Sequence, residues 1–328
     1  MTKMLMKCGS GDINYDEEDP VLDSFSVVAI VKEDQAIVRH FCDQYVRYGA
    51  QHIYIYFDGS TKHFSRDGVF APDGPVSLIE CDPAFWQFHE GERPGRLRDR
   101  QFAVYQIAYK TCESDWLLVC DVDEFIISDV PLASWLEMVP KHIESVNFPT
   151  AEAVWGPNED IDTAFETTLF RLPFKDASEW KRVRFSLYGP IARYMAEGLA
   201  SHSHGKSITR TGIDDICAGT HEAERDGKEI AVLASDVGAG STMVYLAHYD
   251  AISFGRWKVK FERRAPKFKE DGGTGSKKRK RQAKLANFAG RLGVGPSRMV
   301  FRMLYCLSKR QKRALEKAGL LLDKKVFH

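Results

Sequence analysis

Hydrophobic and polar positions along this chain change their spacing in blocks, and the blocks predict alternating strands and helices. Residues 26–31 form a nearly unbroken apolar, β-branched run of strand length. Over residues 34–48 the apolar positions Ile37, Val38, Phe41, Tyr45 and Val46 fall at helical spacing, and Gly49 stands where a C-terminal cap belongs. Residues 52–57 are strand-like again, rich in Ile, Tyr and Phe. Strand, helix and strand with short joints make a βαβ unit, so a parallel sheet is expected. The alternation continues with a strand over 75–80, a helix over 97–111, a fully apolar strand over 116–120, a short helix over 131–139 and a strand over 143–148. Beyond Pro149 the pattern loosens, with strands expected near 182–187 and 242–248. The fold class is therefore α/β: a Rossmann-type, mostly parallel sheet flanked by helices.

Composition narrows the class. The 328 residues are 44% hydrophobic and 28% charged, a globular balance that argues against wholesale disorder. No apolar run reaches the ~20 residues of a membrane-spanning helix, and the first residues lack the apolar stretch of a signal peptide. Seven scattered cysteines without a Cys-x-x-Cys pair suit neither a disulfide framework nor a zinc site, which fits a reducing cytoplasm.

Charge divides the chain. Residues 258–328 carry 22 Lys and Arg against 5 Asp and Glu, a net of +17, so the remainder carries −17. The expected organisation is a loose acidic tail at 1–24, a catalytic domain at 25–265 and a basic linker with an amphipathic helical extension at 266–328. In that extension Met299, Val300, Met303, Leu304 and Leu307 mark one helical stripe with Arg and Lys beside it. Two uses stay open: adsorption to an anionic membrane surface, or packing of the stripe on the acidic body. Lys277, Lys278, Arg279, Lys280 and Arg281 lack interleaved aromatics, so nucleic acid ranks below both. The expected location is cytoplasmic, peripheral at the inner face of the plasma membrane if the extension binds lipid.

Candidate chemistry concentrates at residues 116–125, Trp-Leu-Leu-Val-Cys-Asp-Val-Asp-Glu-Phe. Open α/β sheets bind ligands beyond the carboxyl ends of their strands, and Asp121 and Asp123 follow the most apolar strand of the chain. Such a pair can hold a hard divalent cation, Mn²⁺ or Mg²⁺, against diphosphate oxygens. The plainer alternative is that both aspartates cap the following turn. Three acids within four residues repel one another unless something positive neutralises them, which favours the cation. The joint at 32–34 holds no glycine, so a dinucleotide turn of the Gly-x-Gly-x-x-Gly kind is absent, as is a P-loop.

With these residues in order, residues 25–262 resemble the nucleotide-sugar-dependent glycosyltransferases of GT-A fold, in particular the family-2-like branch with an Asp-x-Asp-Glu-Phe motif. The likeness rests on Val31-Lys32-Glu33-Asp34 at the first strand end, Asp58-Gly59-Ser60-Thr61 at the second, and the later Asp121 and Asp123. It implies that Lys32, Glu33, Asp58 and Ser60 serve the nucleoside and that Asp121 and Asp123 serve the metal and diphosphate. It further implies an inverting transfer from a nucleoside-diphosphate sugar, UDP-sugar foremost, to a glycan or lipid-linked acceptor. The family's second aspartate after Ser-Thr is Lys62 here.

Around this centre, Arg98 and Arg100 open a helix and suit a diphosphate partner. The resemblance makes His248 a further metal ligand, with His221 in reserve and also near the acceptor; His202 and His204 are read as surface residues. A carboxylate must take the acceptor's proton: Glu152, Glu159, Asp160, Asp214 and Asp215 are candidates, and the family's usual spacing points to Asp214 or Asp215. Trp155, beside Gly156 and Pro157, is the candidate for stacking on an acceptor sugar; Trp86, Phe88 and Trp180 also sit in expected loops. Two other classes remain. One is a haloacid-dehalogenase-like phosphatase with Asp121 as nucleophile, although Phe125 stands where that group has Thr or Val. The other is a non-catalytic adaptor for membrane or nucleic acid.

Overall fold

A computed structural model describes residues 23–237, 242–270 and 277–327. The chain begins with β1 (Phe25–Val31), α1 (Gln35–Arg47), β2 (His52–Phe57), β3 (Val76–Glu80), α2 (Pro83–Glu90), α3 (Leu97–Thr111) and β4 (Trp116–Val119). It continues through β5 (Glu124–Ile127), α4 (Leu132–Glu137), β6 (Ser145–Phe148), β7 (Thr150–Val154), β8 (Leu169–Arg171), α5 (Ala177–Tyr188) and β9 (Lys206–Arg210). Next come β10 (Cys217–Ala218), β11 (Ala223–Arg225), β12 (Lys228–Glu229), β13 (Val232–Leu233) and β14 (Tyr245–His248). The last elements are α6 (Phe254–Glu270), α7 (Lys277–Leu292), α8 (Val294–Tyr305), α9 (Lys309–Lys317) and β15 (Leu321–Asp323).

The central sheet has the order β13-β6-β9-β4-β1-β2-β3, with β4, β1, β2 and β3 parallel and β9 antiparallel to both its neighbours. Helices flank it, and the architecture is mixed α/β. Both faces of β1 and β4 are covered, which is why these strands are apolar throughout. Phe25, Val27, Ala29, Trp116 and Leu118 face α1 and the second sheet; Val28, Ile30, Leu117 and Val119 face α2 and α3. Gly49, at φ +87°, ends α1 in a conformation that a side chain would strain.

A second sheet, β15-β8-β7-β14-β5, continues from the first because the turn after β4 carries the chain across. Its outer face holds a separate cluster of Val154, Trp155, Trp257, Phe301 and Leu304. Residues 277–327 are integral to that cluster: Ala283, Ala286 and Ala289 bring α7 close, and β15 pairs with β8. Of the two uses left open for the extension, packing on the body is observed. The buried stripe of α8 is Val300, Phe301, Leu304 and Tyr305, while Met299 and Met303 point outward.

Residues 182–187, expected as a strand, lie in α5. Asp176 caps that helix by accepting from the Ser178 N–H, and Trp180, Val183 and Leu187 turn one face to the second cluster. Trp86 and Phe88 likewise lie in α2 rather than in a loop. Of the expected tail at 1–24, residues 1–22 lie outside the described residues, as do residues 271–276 of the expected linker. Among the described residues no helix is long and apolar enough to cross a membrane.

Candidate active site

The turn after β4 organises the site. The Glu124 carboxylate accepts the Asp121 N–H at 2.8 Å, and the Glu124 N–H donates to the Asp121 carbonyl at 3.0 Å. Glu124 therefore caps the turn, and the two aspartates are released from that task. Asp121 and Asp123 line a cavity of about 280 Å³ together with Lys32, Glu33, Gln101, His202, His248, Asp250, Arg256, Lys260 and Arg279. Five of the residues singled out in the sequence, Lys32, Glu33, Asp121, Asp123 and His248, thus share one cavity wall.

Strand register brings the remaining groups in. Leu118 pairs with Ile208 across β4 and β9, so Lys206 arrives beside Cys120 and Asp121. Its buried ammonium lies 3.0 Å from Asp121 Oδ2 and 3.6 Å from Glu124 Oε2. His248 is the direct cross-strand partner of Glu124 on β14 and β5. Two residues on, Asp250 is buried and accepts from Tyr305 Oη at 2.6 Å and Arg279 Nη1 at 3.1 Å. Lys260 of α6 lies 2.9 Å from Asp123 Oδ2 and 3.0 Å from Asp250 Oδ1.

The electrostatics follow. Burial works to raise the Asp121 carboxyl, but the Lys206 ammonium and its hydrogen bond prevail and hold it at about 2. Burial, joined by the neighbouring His248 and His221 rings, pushes His202 down to about 2. Burial and Lys206 push His221 down to about 4, and burial lowers His248. The histidines are thus neutral near pH 7, with ring lone pairs to offer.

A divalent ion at this place can be tested against the buried atoms. Glu124 Oε1 and His248 Nδ1 are both buried without a hydrogen-bond partner, a costly condition unless a ligand satisfies them. Donor atoms of Glu124, His202 and His248 lie within 4.8 Å of one another. One carboxylate and two neutral imidazoles fit a metal ion of intermediate softness. Asp121 and Asp123, by contrast, each have a lysine already in contact. The metal donors that the structure leaves unsatisfied differ from the Asp-x-Asp pair expected from sequence, with His248 common to both.

Several expectations need correction. Asp214 and Asp215 are exposed at the opposite end of the sheet, where the Thr211 N–H bonds the Asp115 carbonyl ahead of β4, and Asp215 pairs with Arg225. They are one strand length from the cavity. Arg100 is buried, donating to the Pro94 and Gly95 carbonyls and lying 3.5 Å from Asp58. Arg98 points to an outer groove with His89 and Glu90. Asp58 is clasped by the Arg93 guanidinium, and neither it nor the exposed Ser60 lines the cavity. Trp155 is fully buried against Phe301, beyond reach of an acceptor sugar. Glu152, another base candidate, is buried on Arg171 at 2.6 Å. His202 is no surface residue: its ring lies 4.9 Å from that of His248 and 5.0 Å from that of His221. His221 joins this cluster behind the cavity wall, with Nδ1 on the Gly205 carbonyl.

The sequence reading assigned no role in the site to Lys206, Lys260, Asp250 or Arg279. Asp250, two residues beyond His248, carried a local signal; Lys206 and Lys260 had none of their own, and Arg279 was merged in the basic run of 277–281.

No protein-family model matches this chain, and no curated protein matches it. Among solved structures, the chain is similar to residues 1–349 of S. aureus TarS at 12% identity and TM-score 0.32, over 82% of this chain and 71% of that one. It is similar to glucosyl-3-phosphoglycerate synthase from Mycobacterium tuberculosis at 11% identity and TM-score 0.27, over 57% of each chain. It is also similar to the galactosyltransferase LgtC at 12% identity and TM-score 0.24, again over 57% of each. Likenesses of this size bear on none of the site residues.

Proposed function

We propose that this chain is a metal-dependent glycosyltransferase that moves a sugar from a nucleoside-diphosphate donor to an acceptor hydroxyl. The observation that carries the reading is the cavity at the end of β4, lined by Asp121, Asp123, His202 and His248, with Glu124 Oε1 and His248 Nδ1 buried beside it without partners. Glu124, His202 and His248 would hold the ion, and two imidazoles favour Mn²⁺ over the strictly oxygen-seeking Mg²⁺. When bound, the ion supplies positive charge against the diphosphate that leaves.

The chain's own residues do the rest. Lys32, Arg256, Lys260 and Arg279 on the cavity wall attract and orient the donor's phosphates. Lys260 holds Asp123 and Asp250 in fixed positions. Glu33 and Asp121 are the carboxylates an acceptor can reach, at 36% and 33% side-chain exposure, whereas Asp250 is at 1%. Asp121, held at about 2 by the closer Lys206 ammonium, is a feeble base, and Glu33, whose cation Arg256 stands farther off at 3.4 Å, is assigned to receive the hydroxyl proton. Inversion at the sugar carbon, a UDP-sugar donor and a glycan or lipid-linked acceptor complete the proposal.

The test is a panel of nucleotide sugars with Mn²⁺, read by donor hydrolysis and by thermal stabilisation, since a ligand of the native state raises its melting point. Stabilisation and turnover by one donor, both lost in Asp123→Ala, are expected. A panel that leaves the melting point unmoved with and without Mn²⁺ overturns the reading.

A further inference from the structure

The outward face of α7 combines two features that water alone does not suit. Lys277, Arg281, Lys284, Phe288, Arg291 and Leu292 recur at three- and four-residue steps and are all exposed. The opposite face, Gln282, Ala283, Ala286 and Ala289, is buried on the body. At the end of the exposed stripe Phe288 is 62%, Leu292 60% and, just past Gly293, Val294 57% exposed. Three large apolar side chains thus stand in solvent at one helix corner.

The segment that carries the corner has one sign of charge, and Glu262 of α6, which stands beside Asn287 and Gly290, is already paired with Lys258. Residues 277–315 contain 13 Lys and Arg and not one Asp or Glu. Some of these cations turn inward, Arg279 to Asp250 and Lys278 to the Ser201 carbonyl. Among the described residues, Lys277, Arg281, Lys284 and Arg291 form no ion pair.

We infer that this face of α7 docks the protein on an anionic lipid bilayer, with Phe288, Leu292 and Val294 entering the acyl boundary and the stripe of Lys and Arg lying on the headgroups. A helix with one basic, apolar-tipped face lies in the plane of the interface. Each basic side chain near an anionic surface strengthens adsorption about fivefold. Aliphatic Leu and Val at the tip favour lipid over nucleic acid, because they cannot stack on bases. The face differs from the α8 stripe that the sequence offered, of which Val300, Leu304 and Leu307 are buried on the body while Met299 and Met303 are exposed. It also has a consequence for catalysis: Arg279, on the cavity wall, belongs to the same helix, nine residues or about 14 Å from Phe288. Docking by α7 would hold the cavity close to the bilayer surface.

The test uses the full chain and extruded vesicles of phosphatidylcholine, with or without phosphatidylglycerol. Co-sedimentation with the anionic vesicles only is expected. Replacing Arg281, Lys284 and Arg291 by Gln should weaken binding about a hundredfold, and Phe288→Ser with Leu292→Ser should abolish what survives in high salt. A Phe288→Trp variant should gain a blue-shifted emission component on vesicles that the wild-type chain lacks, a local readout that global misfolding does not mimic. Wild-type protein that ignores anionic vesicles, a Phe288→Trp variant whose emission does not move, or tighter binding to a duplex oligonucleotide than to vesicles overturns the inference.

Discussion

Lys260 places its ammonium 2.9 Å from Asp123 and 3.0 Å from Asp250, joining the turn after β4 to the residue pair that follows β14. Without that charge the two carboxylates would face each other across a partly dry cavity. Lys260→Met should therefore lower the melting point, by about 3 °C if the lost pair is worth ~2 kcal/mol, and reduce donor turnover at least a hundredfold. Calorimetry beside a turnover assay checks both; a variant with wild-type values for each would show the bridge to be incidental.

Metal content separates the two ligand sets. Glu124→Gln and His248→Ala should each abolish bound Mn²⁺ as measured by elemental analysis of the dialysed protein, whereas Asp123→Asn, which alters only the Asp-x-Asp set, should retain it. Retention of stoichiometric Mn²⁺ by both of the first variants would remove Glu124 and His248 from the site.

Glu33→Gln addresses the proton acceptor. Turnover should fall by about 10²–10⁴, while the donor's dissociation constant, read by titration calorimetry, stays within about threefold. An equal loss in binding and turnover would make Glu33 a binding group instead.

The buried Glu152 carboxylate joins Arg171 at 2.6 Å and accepts from the Ala200 N–H at 3.1 Å, while Arg171 donates to the Leu304 carbonyl at 2.8 Å. Removing one partner of such a pair costs about 3–5 kcal/mol, so Arg171→Met should lower the melting point by roughly 6 °C. Deletion of 277–328 should be worse still, yielding insoluble protein because Trp155, Trp257 and Phe261 lose their cover. A soluble, cooperatively melting truncation would restore the reading of this region as a detachable tail.

Burial, reinforced by Glu229, pushes Glu222 up to about 7 from an ordinary 4.5. Between those values the native state keeps a proton that the unfolded chain has released, so stability falls as pH rises through this window. Glu222→Gln should flatten the slope of melting temperature from about pH 5 to 7 and raise the melting point at pH 8 by about 3 °C. An unchanged slope would assign it to other groups.

The parallel core and the placement of Asp121 and Asp123 were legible without coordinates, because both depend on local pattern: continuous apolar runs for strands covered on two sides, and acids just beyond the last of them. Helical spacing likewise located α1 and α3. Pattern could not show that β5 leaves for a second sheet, nor that 182–187 coil under the cap of Asp176, since both depend on what packs opposite.

The chain's partners were decided in three dimensions. Asp214 looked well spaced for a base, yet sheet topology carries it to the wrong end of β4. His202 read as surface until β9 and β14 brought it beside His248. The Lys and Arg residues at 277–281 formed one undivided charge run in sequence, but a helix turn points Arg279 at buried Asp250 and Arg281 at solvent. Sequence by itself determined which side chains exist and, where an apolar pattern was continuous or helically spaced, as in β1, α1 and β4, how the segment extends or coils. Only tertiary packing decided which charges neutralise one another, because pairing depends on distances of a few ångströms between segments far apart in the chain.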